Sequence, residues 1–253
     1  DQFAGFNGSV FALALQTNND LVVGGDFTMA NGIPRQRITR LTANGTLDAS
    51  FLSPSSAMGA DGQILALAIQ RDGRIVVGGA FTNFNSLPMN RLARLNYDGS
   101  LDSTFNPGSG ADNPVYAVAQ SPVDGKILVG GAFGRLNGVT FNGVGRLNTD
   151  GTPDTTFNPG GLGANGTVYA LAMQTDGKVI IGGDFTAVNG TSCNHLARLN
   201  TDGSVDTTFN LGTGANDTVR AVAIQLDGRI LIGGQFTSYN GTSFVRVGRV
   251  NSH

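Results

Sequence analysis

The chain has 253 residues, of which 40% are hydrophobic and 13% are charged, and its formal net charge at pH 7 is −2. This composition supplies enough apolar surface for a sizeable core, and no apolar run is long enough to span a membrane. The near-neutral charge excludes the basic surface that binding to nucleic acid or to an anionic membrane requires. A single cysteine, Cys193, excludes an internal disulfide framework.

One pattern of residues is written five times, beginning near Val10, Ile64, Val115, Val168 and Val219. A repeat of this length specifies the architecture before any single residue is weighed. No linker or shift in composition separates the copies, which predicts a single domain over residues 1–253. The chain begins within a repeat, and we therefore expect a mature product or a domain of a longer protein.

Each copy contains four strand signals. The first alternates between β-forming residues and alanine, as in Val10 to Gln16. An Asp-Gly dipeptide such as Asp72-Gly73 follows and favours a primed two-residue turn; the first copy has Asn18-Asn19-Asp20 there, and asparagine also tolerates a positive φ. The second strand is an apolar run ending in two glycines, which predicts burial on both faces and a close backbone approach or a bulge. A longer connection leads to the third strand, and a second Asp-Gly turn opens the fourth.

Four antiparallel strands per repeat predict an all-β fold, a five-bladed β-propeller. The last copy stops after its third strand, at Val250 and Asn251, whereas Asp1, Gln2 and Phe3 match the end of a fourth strand. We therefore expect the N-terminal segment to complete the outer strand of the last blade and to close the ring. A linear solenoid would instead need polar caps at its ends.

The long motif D-G-K-I-x-V-G-G-x-F-T-x-x-N-G, followed by R-L-A-R-L-N-x-D-G-x-x-D-x-T-F-N-P-G, resembles the bacterial delta-sixty repeat β-propeller family. The resemblance covers essentially the whole chain, and the first copy departs from it where F-L-S-P-S-S-A-M-G-A-D-G-Q replaces T-F-N-P-G-S-G-A-D-N-P. It implies a secreted or cell-surface bacterial protein, often a very large one. It carries over no catalytic residue.

The connections after the second and fourth strands share one face, here called the long-loop face, and hold most of the differences between copies. Loops on a rigid scaffold usually carry binding, so this face is the candidate surface. An Asn or Asp precedes each first strand and either binds sugar hydroxyls or a cation or, as we favour, caps its own loop. These residues are Asn7, Asp61, Asp112, Asn165 and Asn216.

Apolar residues follow the F-T pair on the same face: Met29, Phe84, Leu136, Val188 and Tyr239. They either stack on a sugar ring or anchor a partner, or they tuck between neighbouring blades, and the sequence leaves both alternatives open. The two aromatic members, Phe84 and Tyr239, are candidate ligand-binding residues together with the five Asn and Asp residues.

Arginines of the third strand lie beside aspartates of the fourth, and cross-strand ion pairing is favoured over a ligand clamp. The pairs are Arg40 with Asp48, Arg94 with Asp102, Arg146 with Asp154 and Arg198 with Asp206. The turn that contains Asn96, Asp98 and Asp102 lacks the acidic ligands and the terminal Glu of a calcium loop, so no metal is expected.

Catalysis finds little support in the sequence. His195 and His253 belong to no triad and to no metal-ligand spacing, Cys193 has no third partner beside His195, and no phosphate-binding loop occurs. We therefore expect no enzyme and no cofactor.

The sequence is best interpreted as a non-catalytic, secreted or cell-surface binding or adhesion module that recognises a glycan or a surface protein through its long-loop face. Other domains of a larger polypeptide are further candidate partners, and nucleic acid is not. The alternative is a rigid structural block of a large bacterial surface or appendage protein, since the fold alone does not choose between functions.

Overall fold

The computed structural model describes residues 5–52, 59–158, 161–209 and 212–251. Every regular element in these four stretches is a β-strand. Each copy of the repeat forms a three-stranded antiparallel sheet, in the order inner, middle and outer strand. The expected closing segment, Asp1 to Phe3, and the terminal His253 lie outside the described residues.

The five sheets are numbered blade 1 to blade 5 in chain order. The inner strands are Val10–Leu15, Ile64–Ile69, Val115–Gln120, Val168–Met173 and Val219–Ile224. The middle strands are Leu21–Gly25, Ile75–Gly79, Ile127–Gly131, Val179–Gly183 and Ile230–Gly234. The outer strands are Ile38–Leu41, Leu92–Leu95, Val144–Leu147, Leu196–Leu199 and Val247–Val250.

The connection between the middle and outer strands is a small hairpin rather than a loop. Its paired strands are Met29–Ala30 with Ile33–Pro34, Asn83–Phe84 with Leu87–Pro88, Arg135–Leu136 with Val139–Thr140, Ala187–Val188 with Thr191–Ser192, and Ser238–Tyr239 with Thr242–Ser243. The Asn-Gly turn of the motif, at positive φ in Asn31 and Gly32, accounts for this hairpin.

The fourth strand is reduced to a single bridge residue against the end of the outer strand. The bridges are Leu41 with Leu47, Leu95 with Leu101, Leu147 with Pro153, and Leu199 with Val205. The sequence expected a full strand here, but the Asp-x-Thr turn that follows Leu101 bends the chain after one pair: Asp102 accepts hydrogen bonds from the backbone N–H and the hydroxyl of Thr104.

The turns after the inner strands differ from the predicted primed type. In this turn of blade 2 only Gly73 has a positive φ. Its N–H donates to the carbonyl of Gln70, and the N–H of Gln70 donates to the carbonyl of Arg74. This pattern is the three-residue loop in which a type I turn is followed by a left-handed glycine. In blade 1 the left-handed position is held by Asn19, as its tolerance of positive φ predicted.

Blades follow one another around a common axis that is lined by the inner strands, since each inner strand packs against the next. Four apolar clusters fill the four successive blade junctions among the described residues. At each junction at least three residues of one blade pack on the core of the next, for example Val76, Leu92 and Phe105 of blade 2 on blade 3. The predicted class, an all-β five-bladed β-propeller, is confirmed.

The paired glycines of the middle strand permit this close packing, as predicted. A methyl group added at Gly78 would lie 2.5 Å from Cγ1 of Val115 in the next blade. A methyl group at Gly79 would lie 2.1 Å from the carbonyl oxygen of Gln63 in its own sheet. The first glycine therefore sets the distance between blades, and the second sets the approach of the inner strand.

The predicted arginine–aspartate pairs form in blades 1 to 4, with nitrogen–oxygen distances of 2.7–2.8 Å. They also join neighbouring blades, which the sequence did not indicate. Arg94 is buried, stacks 4.6 Å above the Phe105 ring and donates from Nη1 to the carbonyl of Thr149 in blade 3. Arg146 repeats these contacts with Phe157 and with Thr201.

Candidate functional site

The Asn and Asp residues at the start of each inner strand cap the small hairpin of their own blade. Oδ1 of Asn165 accepts hydrogen bonds from the backbone N–H groups of Thr186 and Ala187, at 2.8 and 3.0 Å. Asn7, Asp61, Asp112 and Asn216 accept the corresponding pair of bonds in their blades. The favoured alternative, a self-capped loop, is the one the structure contains.

In blade 2, capping leaves the carboxylate of Asp61 charged. Burial acts to raise the pKa of Asp61, but hydrogen bonds from Asn83 and Thr82 outweigh it and hold that pKa well below its usual value. The carboxylate oxygens of Asp61 accept four bonds, from the backbone and side chain of each of those two residues. A ligand at this position therefore meets an ionised, already hydrogen-bonded group.

The two aromatic candidates lie in the core and not on the surface. Phe84 is fully buried and packs edge-on against Phe81, with ring centroids 5.9 Å apart. Tyr239 is buried in the blade 4–blade 5 cluster, and burial raises its pKa to about 12. Leu136 and Val188 are buried too, whereas Met29 is exposed because Ala30 holds the equivalent inward position. These side chains tuck between blades, which was the second of the two alternatives.

Repeated clefts open between neighbouring blades on the long-loop face. The cleft between blades 1 and 2 has a volume of about 400 Å³ and is lined by Gln36, Arg37, Asp61, Asn83 and Ser86. The next, of about 310 Å³, is lined by Asn90, Arg91, Ser109, Asp112 and Arg135. The third, between blades 3 and 4, is again about 400 Å³ and is lined by Asn142, Gly143, Leu162, Asn165 and Thr167.

A Gly-Ala dipeptide forms the floor of each cleft. A methyl group added at Gly110 would lie 2.2 Å from the carbonyl oxygen of Asn90 in the preceding blade, so the two backbones are in direct contact. Ala111 then donates its N–H to that carbonyl, and Asn90 donates from Nδ2 to the carbonyl of Ser109. Backbone contacts between neighbouring blades therefore hold the floor of each cleft, and the side chains above the floor form its walls.

A residue with left-handed backbone stands at the edge of every cleft. Arg37 has φ 66° and Arg91 has φ 65° in the first two clefts, and Gly143 has φ 78° in the third. His195 has the same conformation at the equivalent position of blade 4, with φ 64°. A side chain in this conformation costs on the order of 1 kcal/mol relative to glycine. Nη1 of Arg37 donates to the carbonyl of Ala60 across the blade junction, and Arg91 donates likewise to Ala111.

The arginines of the clefts were missed as site residues by the sequence reasoning. The signal that would have found them is the alignment of the five copies at this one position, which reads Arg37, Arg91, Gly143, His195 and Arg246. Glycine alternating with large polar residues indicates a left-handed position where the side chain is dispensable for the fold.

Tyrosines that the sequence reasoning did not single out line the inner rim. They occupy the second position of the inner strands, where other copies hold Phe11, Leu65 and Arg220. The rings of Tyr116 and Tyr169 are 5.2 Å apart, and the guanidinium of Arg220 lies 4.4 Å from the Tyr169 ring. The row crosses three blades, with two half-buried tyrosine rings and one exposed arginine.

Residues capable of nucleophilic or metal chemistry do not converge in the described part of the chain. Burial raises the pKa of the Cys193 thiol, which suppresses the reactive thiolate. Nδ1 of His195 lies 3.2 Å from the carbonyl oxygen of Gly183. Within the four described stretches, no group of three or more His, Cys, Asp or Glu side chains is placed to hold a metal ion.

No helix in the described residues is long and apolar enough to cross a membrane. No curated protein matches this chain significantly.

Solved structures share its fold at low sequence identity. A protein of unknown function from Bacteroides caccae is 12% identical with a TM-score of 0.56, over 97% of this chain and 79% of that one. Virginiamycin B lyase from Staphylococcus aureus is 14% identical with a TM-score of 0.57, over 99% of this chain and 70% of that one. The extracellular domain of a one component system from B. thetaiotaomicron is 16% identical with a TM-score of 0.54, over 90% of this chain and 26% of that one.

The sequence profile of one family matches all five copies of the repeat. Its description is "Domain of unknown function (DUF5122) beta-propeller", and the matches cover residues 16–51, 70–105, 124–157, 174–209 and 225–252. A β-propeller repeat family, the broader part of the predicted resemblance, is thereby confirmed, and the delta-sixty assignment stays a prediction. These matches cover more than half of the sequence, and the chain belongs to the DUF5122 β-propeller family.

Proposed function

We propose that the protein is a non-catalytic, secreted or cell-surface binding module that recognises a glycan through the clefts of its long-loop face. One observation carries this proposal: the same cleft recurs at three successive blade junctions, with the same backbone floor. Similar sites on one rigid body allow weak contacts to combine by avidity.

The chemistry of the clefts suits a polyhydroxylated ligand. Their walls offer amide groups from Gln36 and Asn90, hydroxyl groups from Ser86 and Ser109, and guanidinium groups. An arginine has five N–H donors in a fixed fork, and the bond from Nη1 of Arg91 to Ala111 uses one of them. The remaining donors are available to sugar hydroxyl or carboxylate oxygens.

Left-handed arginines support a binding role on energetic grounds. Glycine occupies the same position in blade 3 without altering the fold. An arginine there adds backbone strain and contributes one hydrogen bond to the junction. Arg37 adds an ion pair with Asp26 at 3.4 Å, and a partly exposed pair of this kind contributes little, so the net benefit for stability is small. Residues kept in strained conformations commonly serve ligands, and Arg37 and Arg91 meet this description.

A non-catalytic role is supported by the state of the polar groups. The pKa of the Asp61 carboxyl is held well below its usual value by its hydrogen bonds, and the Cys193 thiol is buried. The extracellular domain among the similar structures is compatible with a location outside the cell.

A glycan array with the purified chain tests the proposal. We expect binding that weakens at least about tenfold in the double variant Arg37→Gly, Arg91→Gly, because two clefts lose their guanidinium groups together. Gly143 shows that the fold accepts glycine at this position. Arg229→Ala, which removes an exposed arginine from the opposite face, is the matched control and should bind normally.

The outcome against the proposal is an array without signal, or binding that the double variant leaves unchanged. A pull-down from the native source distinguishes a protein ligand from a glycan ligand. Capture of a protein that the double variant loses would assign the clefts to a protein ligand.

A rigid structural block is the second candidate, and the bonds between blades favour it. Backbone bonds join successive blades from Leu52 to Asp98, from Asn106 to Asp150 and from Asn158 to Asp202, in addition to the arginine contacts. Silence in both binding assays, together with resistance of the folded chain to protease, would favour this role.

A further inference from the structure

The side of each blade that faces the next blade is built from the same residues throughout the chain. In blades 1 to 4 it presents one residue of the middle strand and one of the outer strand: Val22 with Ile38, Val76 with Leu92, Leu128 with Val144, and Ile180 with Leu196. All eight are at most 2% exposed because the next blade covers them. The equivalent pair in blade 5, Leu231 and Val247, is 37% and 67% exposed.

The space around the first glycine of each middle strand also distinguishes blade 5 from blades 1 to 4. A methyl group added at Gly24, Gly78, Gly130 or Gly182 would lie within 3.0 Å of the first residue of the next inner strand. At Gly233 the nearest atoms are in blade 5 itself, Cβ of Ala221 at 3.8 Å and the carbonyl oxygen of Arg246 at 3.9 Å. The socket that receives a neighbouring inner strand is therefore formed in blade 5 and is open.

Polar groups on this side of blade 5 also differ from their equivalents. Arg37 and Arg91 donate to carbonyl groups of the following blade, whereas Arg246 donates to the carbonyl of Gln235 in its own blade. Arg249 is exposed, whereas Arg94 and Arg146 at the equivalent position are buried and reach the following blade.

We propose that this side of blade 5, comprising Leu231, Gly233, Val247 and Arg249, is a docking surface for a further blade of the same repeat. The surface continues an interface that the chain forms four times, and the shape of its socket selects the partner. The partner must bring a valine or isoleucine at the first position of its inner strand and a leucine or valine at the fourth, as Val115 and Val118 do against Gly78.

Two observations favour a further blade over the other occupants. In the structure, Val10 and Leu13 of blade 1, which have the required residue types, are 38% and 60% exposed and do not fill the socket at Gly233. A terminal repeat that ended the array would present a polar outer face, and blade 5 presents an apolar one.

Thiol labelling with 5,5′-dithiobis(2-nitrobenzoic acid) tests the proposal, in variants that each carry one added cysteine beside the buried Cys193. Val247→Cys probes the open side of blade 5, and Val144→Cys is its buried equivalent in blade 3. The partner is supplied by continuing the full chain after Asn251 with a copy of residues 149–200, which completes blade 5 and adds one blade. A second version carries a copy of residues 97–148 instead.

In the 253-residue chain we expect Val247→Cys to react rapidly at every protein concentration and Val144→Cys to react slowly. In the lengthened chains, Val247→Cys should slow by about tenfold or more, because a docked blade must open before the thiol reacts. The copied Cys193 in the first version should stay as protected as the original, which shows that the added blade is folded.

Several results would overturn the proposal. Protection of Val247→Cys in the 253-residue chain at all concentrations would mean that the chain covers the surface itself. Protection that appears only as the concentration rises would identify a second copy of the chain as the occupant. Rapid labelling in both lengthened chains, with the added blade folded elsewhere or unfolded, would mean that the surface does not accept a blade of this repeat.

Discussion

Replacing Gly78 by alanine tests whether the first glycine of each middle strand sets the spacing of the blades. The added methyl group would lie 2.5 Å from Cγ1 of Val115 and 3.2 Å from Cγ1 of Val118, about 1 Å closer than ordinary van der Waals contact. Interiors packed at crystal density relax only in part, so this overpacking costs about 1–3 kcal/mol. The smaller conformational freedom of alanine in the unfolded chain returns about 0.4–1 kcal/mol.

The net expectation is a loss of about 1–2 kcal/mol, or roughly 2–8 °C in the thermal midpoint for a chain of this size. Thermal and urea unfolding followed by circular dichroism measure it. Gly233→Ala is the matched control, since it has the same place in the repeat and no neighbour within 3.8 Å, and it should leave stability unchanged or raise it slightly. The reasoning is refuted if Gly78→Ala unfolds like the parent chain, or if both variants lose the same amount.

Three further predictions concern the polar groups. Asp154→Asn should cost about 3 kcal/mol in urea unfolding because it leaves the buried Arg146 without its partner, whereas Asp227→Asn, which removes an exposed ion pair with Arg229, should change stability by less than about 0.5 kcal/mol; equal losses would contradict this. Asn165→Ala should cost about 1–2 kcal/mol through its two lost capping bonds, and unchanged protection of the Thr186 amide in hydrogen exchange would argue against a capping role. Burial acts to raise the pKa of Asp154, but bonds from Lys126, Thr156 and Arg146 hold that pKa well below its usual value. As the pH falls, the unfolded chain therefore binds a proton at this carboxylate before the folded chain does, so the free energy of unfolding should be constant near neutral pH and fall below about pH 4. A loss of stability that begins near pH 6 would exclude this cause.

Most of the fold could be predicted from the sequence because the same structural residues recur at the same positions in five copies. The paired glycines, the arginine–aspartate pairs and the succession of three strands all appear as predicted. Each depends on a local cause, such as the missing side chain at Gly78 or opposite charges across one hairpin. Comparison of the copies also shows what a position requires: in the turn after the inner strand, Asn19 has the left-handed backbone that glycine has in the other blades.

Other expectations failed where the outcome depends on neighbouring blades. One alternative placed Phe84 and Tyr239 at the surface. In the structure, the neighbouring blade packs against the side of the blade that carries them, and both side chains are therefore buried in a junction between blades. The primed turn was wrong because Asp72 lies outside the left-handed region and only Gly73 occupies it. The clefts could not be predicted from the sequence of one repeat, because each cleft is lined by residues of two neighbouring blades.

The differences between copies now carry the functional information. Residues that every junction needs do not vary: the first glycine of the middle strand contacts the next inner strand in four blades, and the Gly-Ala floor forms at each described cleft. The left-handed position does vary, from Arg37 and Arg91 to Gly143, while the backbone around it stays the same. The clefts therefore share a backbone floor and differ in the chemistry of their walls, so a ligand that contacts the floor alone would bind all of them, and one that needs a guanidinium at the left-handed position would bind only the first two. Measuring the stoichiometry of a bound glycan by titration calorimetry separates these cases, and Gly143→Arg should add a site in the second case and none in the first.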